Sequence, residues 1–198
     1  SSGVIHLISG FRTDLGESDP FISDVMRGIH AFEGGEFSTK LSAFSLDDWF
    51  LSPVEVEKIR KSSPRGIVFA GFTVTANIAR LFESEKIDCV SIGRPADEVL
   101  IPYVDVDHTE GGFNAMKHLL DLGHKNIGVI EYKAHIPSVE DRYKGIKRAI
   151  GNKDVKLSRL IMNKMDIEDG RAAIMEILDN DHDCSAALIY GDCLTIGG

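Results

Sequence analysis

The residues best placed to do chemistry in this chain are polar side chains at the ends of apolar runs, and Arg142 and Asp192 lead them. Arg142 falls in the opening turn of an amphipathic run, with Pro137, Ser138 and Asp141 as its capping arrangement. A cation there opposes the helix dipole by about 0.3–1 kcal/mol and is better tolerated when an anion or hydroxyls engage it. A guanidinium offers five donors in a rigid fork and Asp192 offers only acceptors, so the two could clamp a polyol from opposite sides. Phe21 and Phe72 could stack on the apolar face of a sugar or purine ring. Plainer readings stay open: Asp192 as a helix N-cap, Arg142 in a surface ion pair, either phenylalanine as ordinary core.

Other chemistry is missing. There is no G-x-S-x-G elbow, Walker loop, G-x-G-x-x-G turn or H-E-x-x-H pair, and no nucleophile and base stand together, so no enzyme activity is expected. His108, His118, His124 and His135 are spaced by 10, 6 and 11 residues, which does not suit ligation from one helix face, and no metal or cofactor is expected. His118 and His124 read as structural, and Asp181-His182-Asp183 as a polar turn. The formal charge of −9 disfavours a polyanion, and the basic run Lys58, Arg60, Lys61 and Arg65 is broken by Glu55 and Glu57, which marks a solvated helix face. Three scattered cysteines, Cys89, Cys184 and Cys193, fit reduced thiols of the cytoplasm better than a disulfide framework. No apolar run approaches the ~20 residues of a membrane span.

The elements that must position these residues alternate. Strands are expected at Val4–Ser9, Phe37–Phe44, Gly66–Ala70, Ile87–Ile92, Tyr103–Val106, Asn126–Ile130, near Leu160 and at Ala186–Tyr190. Helices are expected from Asp19-Pro20 to Phe32 with Gly34-Gly35 as the stop, from Pro53 to Lys61, Thr73 to Glu83, and through the stretch ending Leu122-Gly123-His124. Two more run from Ser138 to Ile150 and from Ile167 to Leu178. Strands alternating with helices of this length imply βαβ crossovers and an α/β fold of two parallel sheets. The crossing between sheets falls in Glu98–Asp107, which gives units of residues 1–104 and 105–198, with Asp105, Val106 and Asp107 as the hinge. Ligands of such sheets bind beyond the carboxyl ends of strands. Those ends carry Ser9, Phe72, Arg94, Glu131-Tyr132 and Asp192.

Several motifs then converge. Asp19-Pro20-Phe21 through Arg27-Gly28-Ile29 resembles N-P-F-x(5)-R-G-I, and Val106-Asp107-His108 with Gly111 resembles V-D-N-x-x-G. His118 to Ile127 is close to H-L-I-x-L-G-H-x-x-I, and Arg142-Tyr143-Lys144-Gly145-Ile146 matches R-x-x-G-[FY]. In this order they resemble the effector-binding and dimerisation region of bacterial regulators of the lactose/galactose repressor (LacI/GalR) family. The resemblance implies a type I periplasmic-binding-protein-like fold of two similar subdomains with a cleft between them. It also implies a homodimer and a small effector, a sugar, sugar phosphate or nucleobase, met by the arginine matching Arg142. Operator DNA would be read by a helix-turn-helix preceding Ser1, outside this chain, and effector binding would shift the angle between subdomains. The expected function is a cytoplasmic, ligand-responsive transcriptional regulator of repressor type. The alternative on the same fold is an extracytoplasmic sugar-binding protein of a transporter. Two departures stand out: His108 replaces the usual Asn, and Gly191-Asp192 replaces Asn-Asp. Ending at the start of a helix, the second subdomain is expected to continue beyond Gly198.

Overall fold

Five apolar runs of the first half lie side by side as parallel strands in the computed structural model, which describes residues 3–11, 20–31, 37–45, 51–96, 98–133, 136–163 and 166–198. These are β1 (Gly3–Phe11), β2 (Phe37–Ser45), β3 (Gly66–Ala70), β4 (Asp88–Ile92) and β5 (Tyr103–Val104), ordered β2-β1-β3-β4-β5. Three helices join them: α1 (Pro20–Ala31), α2 (Pro53–Lys61) and α3 (Ala76–Ser84). The second half forms another parallel sheet, β7 (Lys156–Met162), β6 (Asn126–Tyr132) and β8 (Ala186–Ile189) in that order, with α4 (His108–Asp121), α5 (Pro137–Ile150), α6 (Ile167–Asn180) and α7 (Asp192–Gly197). Two compact units result, dividing between Val106 and Asp107.

In the first unit, Ile8, Ile67, Phe69, Ile78 and Phe82 form the heart of one apolar cluster. Full burial of each such side chain is worth about 1.5–3 kcal/mol. The start of α2 is fixed chemically: the Ser52 hydroxyl accepts from Glu55 N–H, the Glu55 carboxylate accepts from Ser52 N–H, and Pro53 supplies the first helical φ. On its basic face Arg60 pairs with Glu57 and Glu85, and Lys61 lies 3.6 Å from Glu57. Those two carboxylates hold the Arg60 pKa above its ordinary value. Burial, with Asp88 adding to it, pushes the Cys89 thiol up to about 12, so it packs as an inert small residue.

A buried histidine ties β1 to its surroundings. His6 Nε2 lies 2.6 Å from Ser42 Oγ and Nδ1 lies 3.2 Å from Ser62 Oγ. The Ser62 hydroxyl donates to Ile59 O at 2.7 Å, so its oxygen is left to accept from Nδ1–H, and Nε2 accepts from Ser42. Burial, reinforced by Lys40 opposite it in the sheet, lowers the His6 pKa.

The second unit is organised by β6, which is buried from Ile127 through Tyr132 and so must be covered on both faces. The Leu-Gly-His stop is a Schellman cap: Gly123 takes φ +90°, its N–H donates to Leu120 O, and His124 N–H donates to Leu119 O. His124 Nδ1 then reaches Ser185 Oγ at 2.9 Å, anchoring the cap to the turn before β8. At the other end, Asp107 caps α4 by accepting from Glu110 N–H at 2.8 Å.

The contact between α4 and α5 is closer. A Cβ at Gly112 would lie 2.1 Å from Arg142 O, and one at Gly145 would lie 2.0 Å from Thr109 O. Only hydrogen fits at either position, so the two backbones meet directly. Arg148 closes the flank, stacking 4.2 Å from the Phe113 ring centroid and pairing with Glu110.

Several boundaries differ from expectation. Helix α3 starts at Ala76, not Thr73, because Thr73 and Val74 are buried in irregular chain after the Gly71 turn (φ +76°) and Thr75, extended, is the N-cap residue. Strand β5 ends at Val104, since the Asp105 carboxylate turns back to accept from Arg94 N–H at 2.9 Å and Val106 N–H at 2.8 Å. Strand β6 runs on to Tyr132 and α6 on to Asn180. The weak strand near Leu160 is a full seven residues, paired along its length with β6. His118, read as structural, is exposed, and Asp181, read as part of a polar turn, is buried at the end of α6, paired with Lys156 at 2.9 Å. Asp19, Phe32, Gly34, Gly35 and His135 lie outside the described residues.

Two predictions follow from this packing. Gly112→Ala should lose about 1–3 kcal/mol in denaturant unfolding through backbone overlap, whereas Gly111→Ala, with open space around its Cβ, should be neutral or gain up to about 1 kcal/mol. Equal effects would contradict the α4–α5 contact. For His6, a folded pKa depressed below the unfolded value near 6.5 means stability is lost as pH falls through that value toward the folded pKa. Thermal unfolding between pH 7.5 and 5 should show this loss, and His6→Gln should flatten it.

Candidate effector site

Each sheet has one place where the strand order reverses, and such switch points are where open α/β sheets hold ligands. In the first unit it lies between β1 and β3, where Ser9 pairs in register with Ala70. Ser9 is buried there. Phe72 just beyond β3 does not stand ready to stack on a ligand: it is buried in the core cluster, edge-on to Phe69 with centroids 5.6 Å apart. Arg94 follows Gly93, whose φ of +98° turns the chain away from β4, and is half-buried. Phe21 is the second residue of α1, and its side chain lies outside the described residues.

In the second unit the reversal lies between β6 and β8. Arg142 is the sixth residue of α5 and so lies in its second turn, past the opening turn expected; the helix begins at Pro137, one residue before Ser138. The expected cap is not formed either: Ser138 is inside the helix, and Asp141 pairs with Lys144 at 2.8 Å. The dipole argument for Arg142 therefore weakens, and its contacts carry the case instead. Its Nε donates to His108 Nδ1 at 3.3 Å, and its guanidinium lies 5.4 Å from the Tyr190 ring centroid. It is held by side chains of α4 and of the β8 end rather than by a surface ion pair. Asp192 is the first residue of α7 and exposed, while Gly191, at φ +114°, takes the N-cap position that Asp192 was expected to be able to fill. Tyr190 thus links the two candidates, touching Arg142 and lying two positions before Asp192. Tyr132, expected in a loop, ends β6 and is buried.

Sequence reasoning missed the group beneath them. Glu131 is 1% exposed, and Arg159 from β7 holds one of its oxygens, Oε2, with Nε at 2.7 Å and Nη2 at 2.6 Å. The other face of that guanidinium lies 3.8 Å from the Tyr143 ring centroid, and Lys147 Nζ lies 5.1 Å from the same ring. Burial raises the Glu131 pKa, with Arg159 opposing. Burial also raises that of Tyr190, with the Glu131 charge next. The available signal was a lone charged residue in the apolar run Ile127 to Tyr132, matched by Arg159 in the neighbouring strand.

The sequence pattern described as periplasmic binding proteins and sugar binding domain of LacI family matches residues 14–198. The chain belongs to that family. Within it, the chain is 31% identical over 130 residues to the HTH-type transcriptional regulator DegA of Bacillus subtilis, covering 62% of this chain and 38% of that protein. It is 22% identical over 181 residues to the repressor CytR of Escherichia coli, covering 90% of this chain and 53% of that one. It thus spans roughly two fifths to one half of these relatives. Among solved structures, a LacI regulator of Bacillus cereus subsp. cytotoxis superposes over 100% of this chain and 71% of its own, at TM-score 0.81 and 22% identity. A solute-binding protein of Burkholderia multivorans does so over 100% and 73%, at TM-score 0.81 and 18% identity. These superpositions establish the type I periplasmic-binding-protein-like fold. Among the described residues no helix is long and apolar enough to cross a membrane.

The Glu131–Arg159 pair yields a prediction. Arg159→Met should cost about 2 kcal/mol near neutral pH by leaving Glu131 buried without its hydrogen-bonded cation. Since loss of Arg159 raises the Glu131 pKa further, the deficit should shrink as pH falls and the carboxyl takes up a proton. Urea unfolding at pH 7 and pH 4.5 checks both statements.

Proposed function

We propose that this chain is the effector-binding and dimerisation region of a cytoplasmic, ligand-responsive transcriptional regulator of repressor type. Its effector is a sugar or related small metabolite. Operator DNA is bound by a headpiece outside this sequence, and the working unit is a homodimer. Ser9 and Arg94 in the first unit and Arg142 and Asp192 in the second contact the effector. Residues Asp105 to Asp107 act as the hinge between subdomains of residues 1–104 and 105–198. Effector binding acts through its different affinity for two states of the dimer, and so changes operator affinity.

The match to the LacI-family pattern across residues 14–198 carries this reading. The curated relatives named above are transcriptional regulators, which favours it over a transporter's solute-binding protein; the fold alone suits both. Arg142 supports the site assignment, since a guanidinium oriented by His108 and Tyr190 is pre-set to donate to ligand oxygens. Related folds have been solved with fructose 1-phosphate, for a Cra regulator of Pseudomonas putida, and with ribose, for a LacI-family regulator of Enterococcus faecium.

A thermal-shift screen of sugars, sugar phosphates and nucleobases on the full-length protein finds the effector, because a ligand at 100 times its Kd adds about 2.7 kcal/mol of stability. Calorimetry on the hit should then show Arg142→Ala and Asp192→Ala each weakening binding about tenfold or more, the loss of a charged hydrogen bond. Unchanged affinity in both variants would remove these residues from the site.

A further inference from the structure

Beneath Arg142, the second unit holds two buried polar atoms with nothing to bond. Arg159 satisfies Glu131 Oε2, but Glu131 Oε1 has no hydrogen-bond partner, and neither has the Tyr190 hydroxyl. Glu131 is 1% exposed and Tyr190 8%. Native proteins leave very few buried polar atoms unpaired, and such atoms point to a missing ligand, ion or water. These two lie at the same level, Glu131 in β6 and Tyr190 just after β8: Tyr190 N–H donates to Ile130 O at 2.9 Å, which sets Tyr190 beside Glu131 across the β6–β8 reversal. The carboxylate also raises the Tyr190 pKa, so its charge is felt at the phenol.

The pair's chemistry narrows what it takes. An ionised carboxylate oxygen only accepts, while a phenol hydroxyl both donates and accepts. A group that gives a proton to one and takes one from the other satisfies both, and a hydroxyl is such a group. A cationic group is disfavoured because Arg159 already neutralises Glu131 and because Arg142 stands over the Tyr190 ring. A phosphate oxygen has no proton to offer Oε1 and is repelled by it.

We propose that Glu131 Oε1 and Tyr190 Oη form a subsite for one hydroxyl of a neutral sugar or polyol, with the ligand hydroxyl donating to Glu131 and accepting from Tyr190. This rests on the reading of the second unit as effector-binding and names the effector's chemical class. It also gives Glu131 a role: Arg159 holds the carboxylate so that its second oxygen faces the ligand.

The test uses the full-length protein, with D-ribose, D-allose, D-glucose, D-xylose, ribitol and fructose 1-phosphate as probes in calorimetry, and Tyr190→Phe, Glu131→Gln and Arg142→Ala as variants. Tyr190→Phe deletes only an atom that bonds nothing in the free protein. Its unliganded Tm should hold or rise, while its affinity for the neutral probe that binds falls roughly tenfold, and Glu131→Gln should weaken the same probe. If Tyr190→Phe and Glu131→Gln bind that probe as wild type does while Arg142→Ala binds it less well, the subsite is wrong and the effector-binding reading stands. A Tm lowered by several degrees in unliganded Tyr190→Phe would show a partner already present and overturn the subsite. Binding of fructose 1-phosphate alone, or of no probe at all, would overturn the neutral-sugar subsite, while a nucleobase that binds in the thermal-shift screen and loses affinity in Arg142→Ala would leave the effector-binding reading standing.

Discussion

The second unit depends on two helices touching through their backbones. At Gly112 and Gly145 any side chain would overlap a carbonyl of the facing helix, so α4 and α5 can meet this closely only with glycine at both points. That approach fixes the depth of α5 over the sheet. Arg142 and Gly145 are three residues apart on one helix and so share a face. The glycine that lets the helices meet therefore also delivers the arginine to His108 at the start of α4 and to Tyr190 at the end of β8. The R-x-x-G spacing combines a packing constraint with the arginine proposed to contact the effector.

Charge is managed around that contact. Putting Glu131 in the middle strand of a parallel sheet is unfavourable unless a cation follows it inside, and Arg159 does so through a hydrogen bond from Nε and an ion-pair contact from Nη2 to one oxygen. Tyr143 from α5 covers the guanidinium, coupling the helix to the buried pair. Arginine suits the task, being flat enough to stack while donating in its own plane. The first unit uses a different device: a neutral histidine between two serines, with Arg60 of α2 paired to Glu57 and Glu85 on the solvated side.

Much of this was legible in the sequence. Alternating strands and helices gave the α/β class, and the Leu122-Gly123-His124 stop was readable because a Schellman cap needs a left-handed residue just there. Arg142 was found through its neighbours in sequence, yet for a reason that fails, since α5 begins earlier and the helix dipole has little hold on its sixth residue. Phe72 shows the limit more clearly: position after a strand does not reveal which way a ring points, and this ring points into the core. Glu131, Arg159 and Tyr190 are far apart in sequence and meet only through strand register, which no local pattern encodes. Gly112, rather than the motif's Gly111, makes the tight contact, a difference of one helical position that only the packing decides.

The central claim is that the reversal between β6 and β8 is where the second unit meets its effector. A crystal structure of the protein with the sugar that stabilises it most in a thermal screen tests this directly. The account predicts ligand oxygens within hydrogen-bonding distance of the Arg142 guanidinium and of at least one of Glu131 Oε1 and Tyr190 Oη. A ligand bound with none of these three groups in contact would contradict it.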